Sequence, residues 1–296
     1  MKQQKRIFAL GFFDGVHLGH QALLEACVSL AGSLGAEAAA ITFDRHPRAL
    51  FTQEPPHLIS TVASRRLLLN RYGITYVKQY PVIPEVMGMP WEEFLEGLME
   101  EGAAGFVCGD DFRFGRRNEG NVAGLVKFCE ERGLPCAIVP EQTVDGKRIS
   151  STYIRTQIEC GDMETAKRFL GHPHIVSGVV VPGKQLGRTL GIPTANIRLE
   201  EGLVVPKFGV YACRVTIDGR TYSAVTNVGV RPTVSGVGVT VEPWILDFDG
   251  NLYGQEITLE FHRFLRPETK FEGLEALKTQ INRDAETTRN YFSNKN

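Results

Sequence analysis

In the first half of the chain, short apolar runs alternate with segments whose apolar residues recur at helical spacing. Nearly continuous apolar runs are typical of parallel strands that are buried on both faces. We expect such strands at residues 6–10, 38–43, 76–80, 105–108 and 136–139. We expect helices between them at residues 20–33, 60–72, 91–101 and 121–132. This alternation predicts an open, mostly parallel sheet with helices on both faces.

After about residue 175 the pattern changes to runs rich in Val, Ile, Thr and aromatic residues. We expect strands at residues 176–181, 209–217, 221–228, 239–248 and 255–261, and a last amphipathic helix at 274–292. Asp218-Gly219 separates two of these strands, and Asp-Gly favours a tight hairpin. The second half is therefore predicted to be an antiparallel barrel. Gly171 and Pro173 interrupt a helical pattern, so we place the domain boundary between 1–172 and 173–296.

Composition narrows the class of protein without naming it. Apolar residues make up 43% of the chain, charged residues 23%, and the formal net charge is −1. No basic stripe stands out, which argues against nucleic acid as a partner. No apolar run is long enough for a membrane span, and none of the six cysteines forms a C-x-x-C pair. We therefore expect a cytoplasmic enzyme with reduced, mostly buried cysteines that acts on small molecules.

The first candidate site is the segment 11–20, GFFDGVHLGH, between the first predicted strand and the first helix. Its glycines permit a tight turn and a close backbone approach, and a helix start offers N–H groups to phosphate. His17 and His20 lie on the same side of the first helical turn, where both can stabilise charge on a triphosphate. An isolated H-x-x-H is more often structural. Its position between a strand and a helix, among glycines, favours a phosphate site.

Three later segments have the same kind of placement: 42–47 (TFDRHP), 109–115 (GDDFRFG) and 149–155 (ISSTYIR). The aromatic rings of Phe112 and Phe114 suit stacking on a flavin or adenine, although a loop core explains them equally well. Helix capping would account for Ser151 or Thr152 alone. It does not call for Arg155 one turn later, which favours phosphate binding.

Taken in order, these four segments resemble the FMN adenylyltransferase module of prokaryotic bifunctional riboflavin kinase/FAD synthetases, within the nucleotidylyltransferase superfamily. The resemblance implies that FMN attacks the α-phosphate of ATP and releases pyrophosphate. It implies that His17, His20 and Arg155 act on the ATP phosphates. The positions it assigns to nucleotide or flavin binding are Gly11, Phe13, Asp14, Gly19, His46, Asp111, Phe112, Ser151 and Thr152.

The second candidate site begins with a glycine-rich stretch, 178–191, that lacks the P-loop pattern. A plain hairpin loop is the default interpretation of such a stretch. It runs into Ile192-Pro193-Thr194-Ala195-Asn196, where Thr194 and Asn196 point to the same side of an extended strand. Two neutral oxygens in this arrangement suit Mg²⁺, whereas Pro-Thr-Ala-Asn alone would be taken for a turn.

Together with the segments 207–211, 227–233 and 246–254, this stretch resembles riboflavin kinase, a compact six-stranded barrel with a trailing helix. The resemblance implies that Glu242 orients or deprotonates the hydroxyl of riboflavin, and that Thr194 and Asn196 hold Mg²⁺. The further binding positions it assigns are Gly183, Gly187, Arg188 and Asn227. For Gln280, Asp284 and Arg289 of the last helix, a place beside the flavin and a solvated face are equally open.

The resemblance covers about residues 5–293 and implies a Rossmann-like nucleotidylyltransferase domain followed by the antiparallel kinase barrel and its C-terminal helix. The expected function is phosphorylation of riboflavin by ATP to FMN, then adenylylation of FMN to FAD. The chain departs from the family's usual residues at Phe12, Arg45, Tyr153, Pro243 and Trp244. These departures keep two alternatives open: a kinase with an inactive N-terminal domain, and a flavin-binding regulator without turnover.

Overall fold

The structure, a computed structural model, describes residues 4–182, 191–233 and 236–294. The chain divides into two compact units. The first comprises Met1–Leu58 and Val62–Ser151, and the second comprises Ile59–Thr61 and Thr152–Asn296. The domain boundary expected after residue 172 stays a prediction. By packing, the division between the two compact units falls after Ser151.

The first unit is built on a parallel five-stranded sheet, as predicted. Its strands and two attached hairpins are β1 (Arg6–Ala9), β2 (Glu37–Phe43), β3 (Tyr76–Tyr80), β4 (Ala103–Gly109), β5 (Arg113–Phe114), β6 (Gly120–Asn121), β7 (Cys136–Val139), β8 (Thr143–Val144) and β9 (Lys147–Arg148). Its helices are α1 (Leu18–Leu34), α2 (Val62–Arg71), α3 (Pro84–Met87), α4 (Trp91–Glu100) and α5 (Val122–Arg132). Gly73, Gly102 and Gly133 follow helices at positive φ, which only glycine adopts without strain.

The strand order β3-β2-β1-β4-β7 fixes where a ligand can bind. From β1 the chain adds strands on one side, to β3, and then returns to add β4 and β7 on the other side. In open α/β sheets, ligands bind outside the carboxyl ends of the strands at such a reversal point. The segments that follow β1 and β4 begin at Leu10 and Asp110. Both segments carry sequence-predicted site residues, so the topology brings them to the same edge of the sheet.

The second unit is a six-stranded antiparallel sheet of order β10-β15-β12-β13-β14-β11. Its strands are β10 (His174–Val179), β11 (Ile197–Arg198), β12 (Gly209–Ile217), β13 (Arg220–Thr233), β14 (Gly236–Ile245) and β15 (Glu256–Arg266). Its helices are α6 (Ser151–Cys160), α7 (Met163–Leu170) and α8 (Leu274–Ser293). A bridge between Val180 and Ile197 joins the two edge strands, which makes the sheet a barrel. The predicted barrel with its trailing helix is thereby confirmed.

Some elements differ from the sequence-based expectation. The strand expected at 239–248 ends at Ile245, because Asp247 has a φ of 59° and turns the chain out of the sheet. The strand β11 has only two residues and no period from which to predict it. Within residues 4–182, 191–233 and 236–294, no helix has the length and the hydropathy needed to cross a lipid bilayer.

His174, at the start of β10, is a buried polar group inside the second unit. It is 2% exposed, and neither ring nitrogen has a hydrogen-bond partner among the described residues. Burial, and then the charge of His172, lower the pKa of His174 from 6.5 to about 3. The imidazole is therefore neutral in the folded protein and takes up a proton below pH 6.5 only when the chain unfolds.

We expect acid to destabilise the second unit through His174. Between pH 6.5 and about 3 the unfolded state binds one more proton at this residue, so stability falls as the pH falls. The slope for one proton is about 1.4 kcal/mol per pH unit. The chain has one tryptophan in each unit, so in a Trp91→Phe background Trp244 reports urea unfolding of the second. His174→Leu should lower the slope of the free energy of unfolding against pH by the amount that corresponds to about one proton. The control His57→Leu replaces an exposed histidine and should leave this slope unchanged. An unchanged slope in His174→Leu would contradict the assignment.

Candidate functional site

A strained turn connects β1 to α1 and positions both histidines. The short helical turn Asp14–Val16 follows Phe13, and the φ angles of Phe13, Gly15 and Val16 are 57°, 72° and 41°. A positive φ is costly for a β-branched residue such as valine, and it persists only where the surroundings enforce it. His17 then caps α1, because its Nδ1 accepts a hydrogen bond from the backbone N of His20 at 3.2 Å.

The two imidazoles lie on the same side of the helix start, as their spacing predicts, and the structure shows them stacked. The ring centroids of His17 and His20 lie 3.6 Å apart with an interplanar angle of 11°. Gly19 permits this, since a Cβ there would lie 3.3 Å from the His17 ring. Burial, then the charges of His17 and Arg65, lower the pKa of His20 well below 6.5. His20 is thus neutral at physiological pH and can donate a hydrogen bond from one ring nitrogen.

A cavity of about 390 Å³ opens at the reversal point of the sheet. This volume is within the range of small-molecule sites, about 300–1,000 Å³. Seven sequence-predicted residues line it: Gly11, His17, Gly19, His20, Asp111, Phe112 and Ser151. The hydroxyl of Ser151 donates to the carbonyl of Asp14 at 3.4 Å, within the first unit. The structure therefore brings the first, third and fourth sequence segments together.

Arg148, on β9, is a cavity residue that the sequence reasoning missed. Its Nη2 lies 2.5 Å from Oδ2 of Asp111 and its Nε lies 2.8 Å from Oε2 of Glu141. It is the one lysine or arginine among the described residues that line this cavity. A guanidinium binds phosphate through fixed, paired donors, so Arg148 is suited to meet a triphosphate here. Its place just before the Ser150-Ser151-Thr152 run is the only signal in the sequence.

A second, more apolar cavity of about 200 Å³ shares Gly11, Phe12 and Phe112 with the first. Its wall is otherwise mostly aromatic and aliphatic: Ile41, Phe43, Pro47, Val86, Met87, Met89, Phe94 and Phe114. Phe112 stacks on Phe114 with ring centroids 5.3 Å apart, while Phe114 is buried in the core of the unit. Phe114 is therefore a core residue that also lines the apolar cavity, and Phe112 lines both cavities.

The remaining predicted residues of this half lie elsewhere. Phe13 and Asp14 are almost fully buried in the turn itself. His46 caps a short turn at 3.1 Å from the Arg48 backbone N, and its ring packs against Phe12 with centroids 5.3 Å apart. Thr152 and Arg155, on α6, belong to the second compact unit. Their part in phosphate binding stays a prediction.

In the second unit, polar side chains cross three neighbouring strands in one row. Glu242 on β14 pairs in register with Asn227 on β13. On its other side the pairs Ile197–Val241 and Thr194–Trp244 place Asn196 opposite Glu242. Residues opposite each other in an antiparallel pair share a face. The carboxylate of Glu242, the amides of Asn196 and Asn227, and, one strand-step away, Thr194 therefore lie on one face of the barrel.

Glu242 is 7% exposed, and its Oε1 accepts a hydrogen bond from the hydroxyl of Thr240 at 3.1 Å. Burying a carboxylate is costly unless it is paired or has a function. Asn227 donates from Nδ2 to Oε1 of Glu268 at 3.1 Å. Side chains of β12, β13 and α8 pack together beside this row, including Val210, Val225 and Ala285. The helix thus covers the same face that carries the polar row.

The charged residues of α8 differ in their surroundings, and a place beside the flavin stays a prediction for them. Asp284 is 4% exposed, and Arg266 binds it through Nε at 3.1 and 3.0 Å and through Nη2 at 2.8 Å. Gln280 donates to the same carboxylate at 3.0 Å. For Asp284 the solvated-face interpretation is wrong, because the pair fastens the helix to β15. Arg289 binds Asp247 at 2.8 Å on the surface.

A cavity of about 190 Å³ lies where this row meets the loop after β14. Thr194 lines it, with Pro193, Ala195 and the loop residues from Phe248 to Tyr253. The predicted phosphate-loop residues Gly183, Gly187 and Arg188 lie outside the described residues. Within the described part of the chain, no group of three or more His, Cys, Asp or Glu side chains is placed to enclose a metal.

The α/β unit has stacked histidines at a helix start, and the barrel buries one glutamate among oxygen donors, which is the class of arrangement expected for a transferase with one site in each unit. Family models match both halves: FAD synthetase over residues 1–153 and riboflavin kinase over residues 170–292. The chain therefore belongs to the family of bifunctional riboflavin kinase/FMN adenylyltransferases.

The sequence match between this chain and its relatives extends over almost their whole length. The bifunctional riboflavin kinase/FMN adenylyltransferase of Listeria monocytogenes is 34% identical over 292 residues, which are 97% of this chain and 93% of the relative. That of Pseudomonas fluorescens is 36% identical over 286 residues, 96% of this chain and 92% of the relative. A crystal structure from Streptococcus pneumoniae, described as a macrolide-efflux protein, shares the fold with a TM-score of 0.85 and 30% identity. It covers 98% of this chain and 95% of that chain.

The two matched domains and the relatives show what the chain does: it converts riboflavin to FMN and FMN to FAD. The predicted transferase function and fold are confirmed.

Proposed function

We propose that the two reactions take place at the two sites described above, one in each unit. The supporting observation is that each unit has its own cavity beside residues assigned to its reaction. Seven of these residues line the first cavity, and Thr194, which shares a face with Glu242, lines the second. The substrates are riboflavin, FMN and ATP. We include in the proposal a cytoplasmic place of action, which the six unpaired cysteines favour.

In the kinase half, Glu242 takes the proton from the 5′-hydroxyl of riboflavin. The hydroxyl oxygen then attacks the γ-phosphorus of ATP, and the bond from that phosphorus to ADP breaks. A general base must lie within hydrogen-bond reach of its proton, in a site that orients the substrate. Asn227 and Asn196 flank Glu242 in register, so both amides are placed to orient the ribityl hydroxyls or the phosphate.

The oxygen donors of this row fit a magnesium ion. Thr194 and Asn196 supply neutral oxygens beside one carboxylate, and Mg²⁺ typically takes one or two protein oxygens while water and substrate phosphates complete its shell. Such a site needs no cluster of three acidic side chains. We assign Thr194 and Asn196 as the residues that would hold Mg²⁺, which neutralises phosphate charge when it is bound.

In the adenylyltransferase half, a phosphate oxygen of FMN attacks the α-phosphorus of ATP, and the bond to pyrophosphate breaks. No protein nucleophile is required, so the contribution of the site is positioning and charge stabilisation. His17, His20, Ser151 and Arg148 line the cavity that would hold the triphosphate. The neighbouring apolar cavity suits the isoalloxazine ring, with Phe112 at the junction of the two ligands.

The proposal predicts a definite order of products. With riboflavin, ATP and Mg²⁺, chromatography should show FMN first and FAD after it. EDTA should stop FMN formation, because the neutral oxygen donors of the site do not neutralise the phosphate charge once the metal ion is removed. Starting from FMN should give FAD without the first phase. FMN without FAD would limit the proposal to the barrel site. An absence of both products would support a binding protein instead.

A further inference from the structure

Arg65 is a buried arginine in the helix beneath the adenylyltransferase turn. On α2 it lies one helical turn before Leu68 and Leu69, so it occupies the face that points into the core. It is 1% exposed, whereas the neighbouring Arg66 is exposed. Charged side chains are almost never buried this completely unless they are paired or have a function. The sequence reasoning assigned it no role.

The contacts of Arg65 lead directly to the turn that carries the histidines. Its Nη1 donates to Oγ1 of Thr42 at 2.9 Å and to the carbonyl of Phe43 at 2.8 Å. The hydroxyl of Thr42 in turn donates to the carbonyl of Phe12 at 2.8 Å. The guanidinium carbon also lies 4.3 Å from the centroid of the Phe12 ring. One buried side chain thus holds both the backbone and the ring of Phe12.

Phe12 is the last residue before the strained part of the turn. The next residue, Phe13, has a φ of 57°, and Val16 has a φ of 41°. Such conformations are strained and relax unless neighbouring groups over-determine them. If the carbonyl of Phe12 lost its anchor, the turn would relax first, and with it the N-cap His17 and the stacked His20.

From these contacts we propose that Arg65 is a positioning residue of the adenylyltransferase: through Thr42 and Phe12 it holds the turn 12–16 in the conformation that presents His17 and His20 to the triphosphate. The proposal rests on the function proposed above for the two histidines. It adds to that function a residue that lies beneath the cavity and does not line it.

The positive charge of Arg65 also affects the protonation of His20. After burial and the neighbouring His17, Arg65 is the next cause that lowers the pKa of His20. The ring of Phe13 packs edge-on against the imidazole of His20, with ring centroids 5.2 Å apart. The charged side chains that line the cavity in front of His20 are Asp110, Asp111, Glu141 and Arg148. Removing the positive charge of Arg65 should therefore raise the pKa of His20.

The test compares Arg65→Met with Arg65→Lys and with the matched control Arg66→Met on the exposed face of the same helix. Methionine keeps the length of the side chain and removes the charge and all donors, whereas lysine keeps the charge and one donor group. We expect Arg65→Met to lower kcat/KM of adenylyl transfer about 100-fold, the scale of a misplaced catalytic group. Arg65→Lys should recover part of this loss, and Arg66→Met should match the wild type.

A second variant removes only the hydrogen-bonded link between Arg65 and Phe12. Thr42→Val keeps the shape of the side chain and removes the hydroxyl between Arg65 and Phe12, so we expect a smaller loss in the same direction. Riboflavin kinase activity, measured on the same samples, reports that the second unit is intact.

Imidazole NMR adds a readout that general instability does not produce. The His20 signals, identified by their loss in His20→Gln, should titrate at higher pH in Arg65→Met than in the wild type.

The outcomes separate the two proposals. If Arg65→Met and Thr42→Val keep the wild-type kcat/KM, and the titration of His20 does not move, the role of Arg65 is overturned. If substitution of His17 and His20 leaves adenylyl transfer unchanged, the function proposed for the histidines fails first, whatever Arg65 does. Loss in Arg65→Met without recovery in Arg65→Lys and without a shift in His20 would mark a structural arginine and also overturn the proposal.

Discussion

Replacement of Glu242 by glutamine is expected to remove riboflavin kinase activity while adenylyl transfer from added FMN continues. Glutamine keeps the shape of the side chain and an oxygen for the hydrogen bond from Thr240, so the strand should persist. It cannot accept the proton of the ribityl hydroxyl. General-base catalysis typically contributes about 10²–10⁴-fold, and we expect kcat for FMN formation to fall by that amount. The initial rate of FMN formation, followed by chromatography, measures it.

The matched control is Glu256→Gln, which removes an exposed glutamate from β15 of the same barrel. It should leave both reactions unchanged. Riboflavin binding, followed by flavin fluorescence, should persist in Glu242→Gln if the loss lies in the chemical step. A variant that phosphorylates riboflavin at the wild-type rate would remove Glu242 from the mechanism. Loss of binding and catalysis together would assign it to substrate orientation instead.

The fold was largely predictable because each half has a strong period. The apolar runs of the first half and the alternating strands of the second half correspond to observed elements, mostly to within three residues at each end. The turn at Asp218-Gly219 also followed from local chemistry, since both residues have positive φ, 46° and 75°. Elements without a period, such as the two-residue β11, had no such signal, and their place is fixed by pairing with β14.

The sites were predictable only where chemistry and local order coincide. His17 and His20 are three residues apart at one helix start, so their place on the same side follows from spacing. The stacking of the rings is a finding of the structure. Arg148 meets Asp111 across 37 positions of sequence, and Arg65 meets Thr42 across 23. Such contacts depend on tertiary packing. The spacing of Arg65 to Leu68 and Leu69 indicates its face of α2, but it gives no sign of the contact with Thr42.

The arrangement of two reactions in separate cavities has a consequence for every substitution. Each activity serves as the control for protein and ATP concentration in variants of the other unit, because the residues that line each cavity come from one unit only. A substitution that lowers both activities equally therefore points to less protein or less ATP in the assay. A selective loss points to the unit that carries the substitution. The departures at Phe12 and Trp244 can be tested in the same way.

The second large effect is expected from the double variant His17→Asn, His20→Gln. Asparagine is among the best N-cap residues, so it keeps an acceptor at the start of α1 while it removes the imidazole. Removing one preorganised donor from a site of developing charge costs about 10²–10³-fold in kcat. For two donors that act on the same triphosphate, we expect a loss of FAD formation of at least about 10³-fold. Riboflavin phosphorylation should continue at the wild-type rate.

The dependence of the adenylyl-transfer rate on pH distinguishes a neutral pair of His17 and His20 from a charged pair. Because the pKa of His20 lies well below 6.5, its imidazole stays neutral as the pH falls through that value, and the rate of adenylyl transfer should not rise there. An increase of the wild-type rate below pH 6.5 would show that the protonated pair is the active form. Substantial FAD formation by the double variant would assign charge stabilisation to Arg148 and to the N–H groups at the start of α1, with the stacked histidines then left to shape the turn.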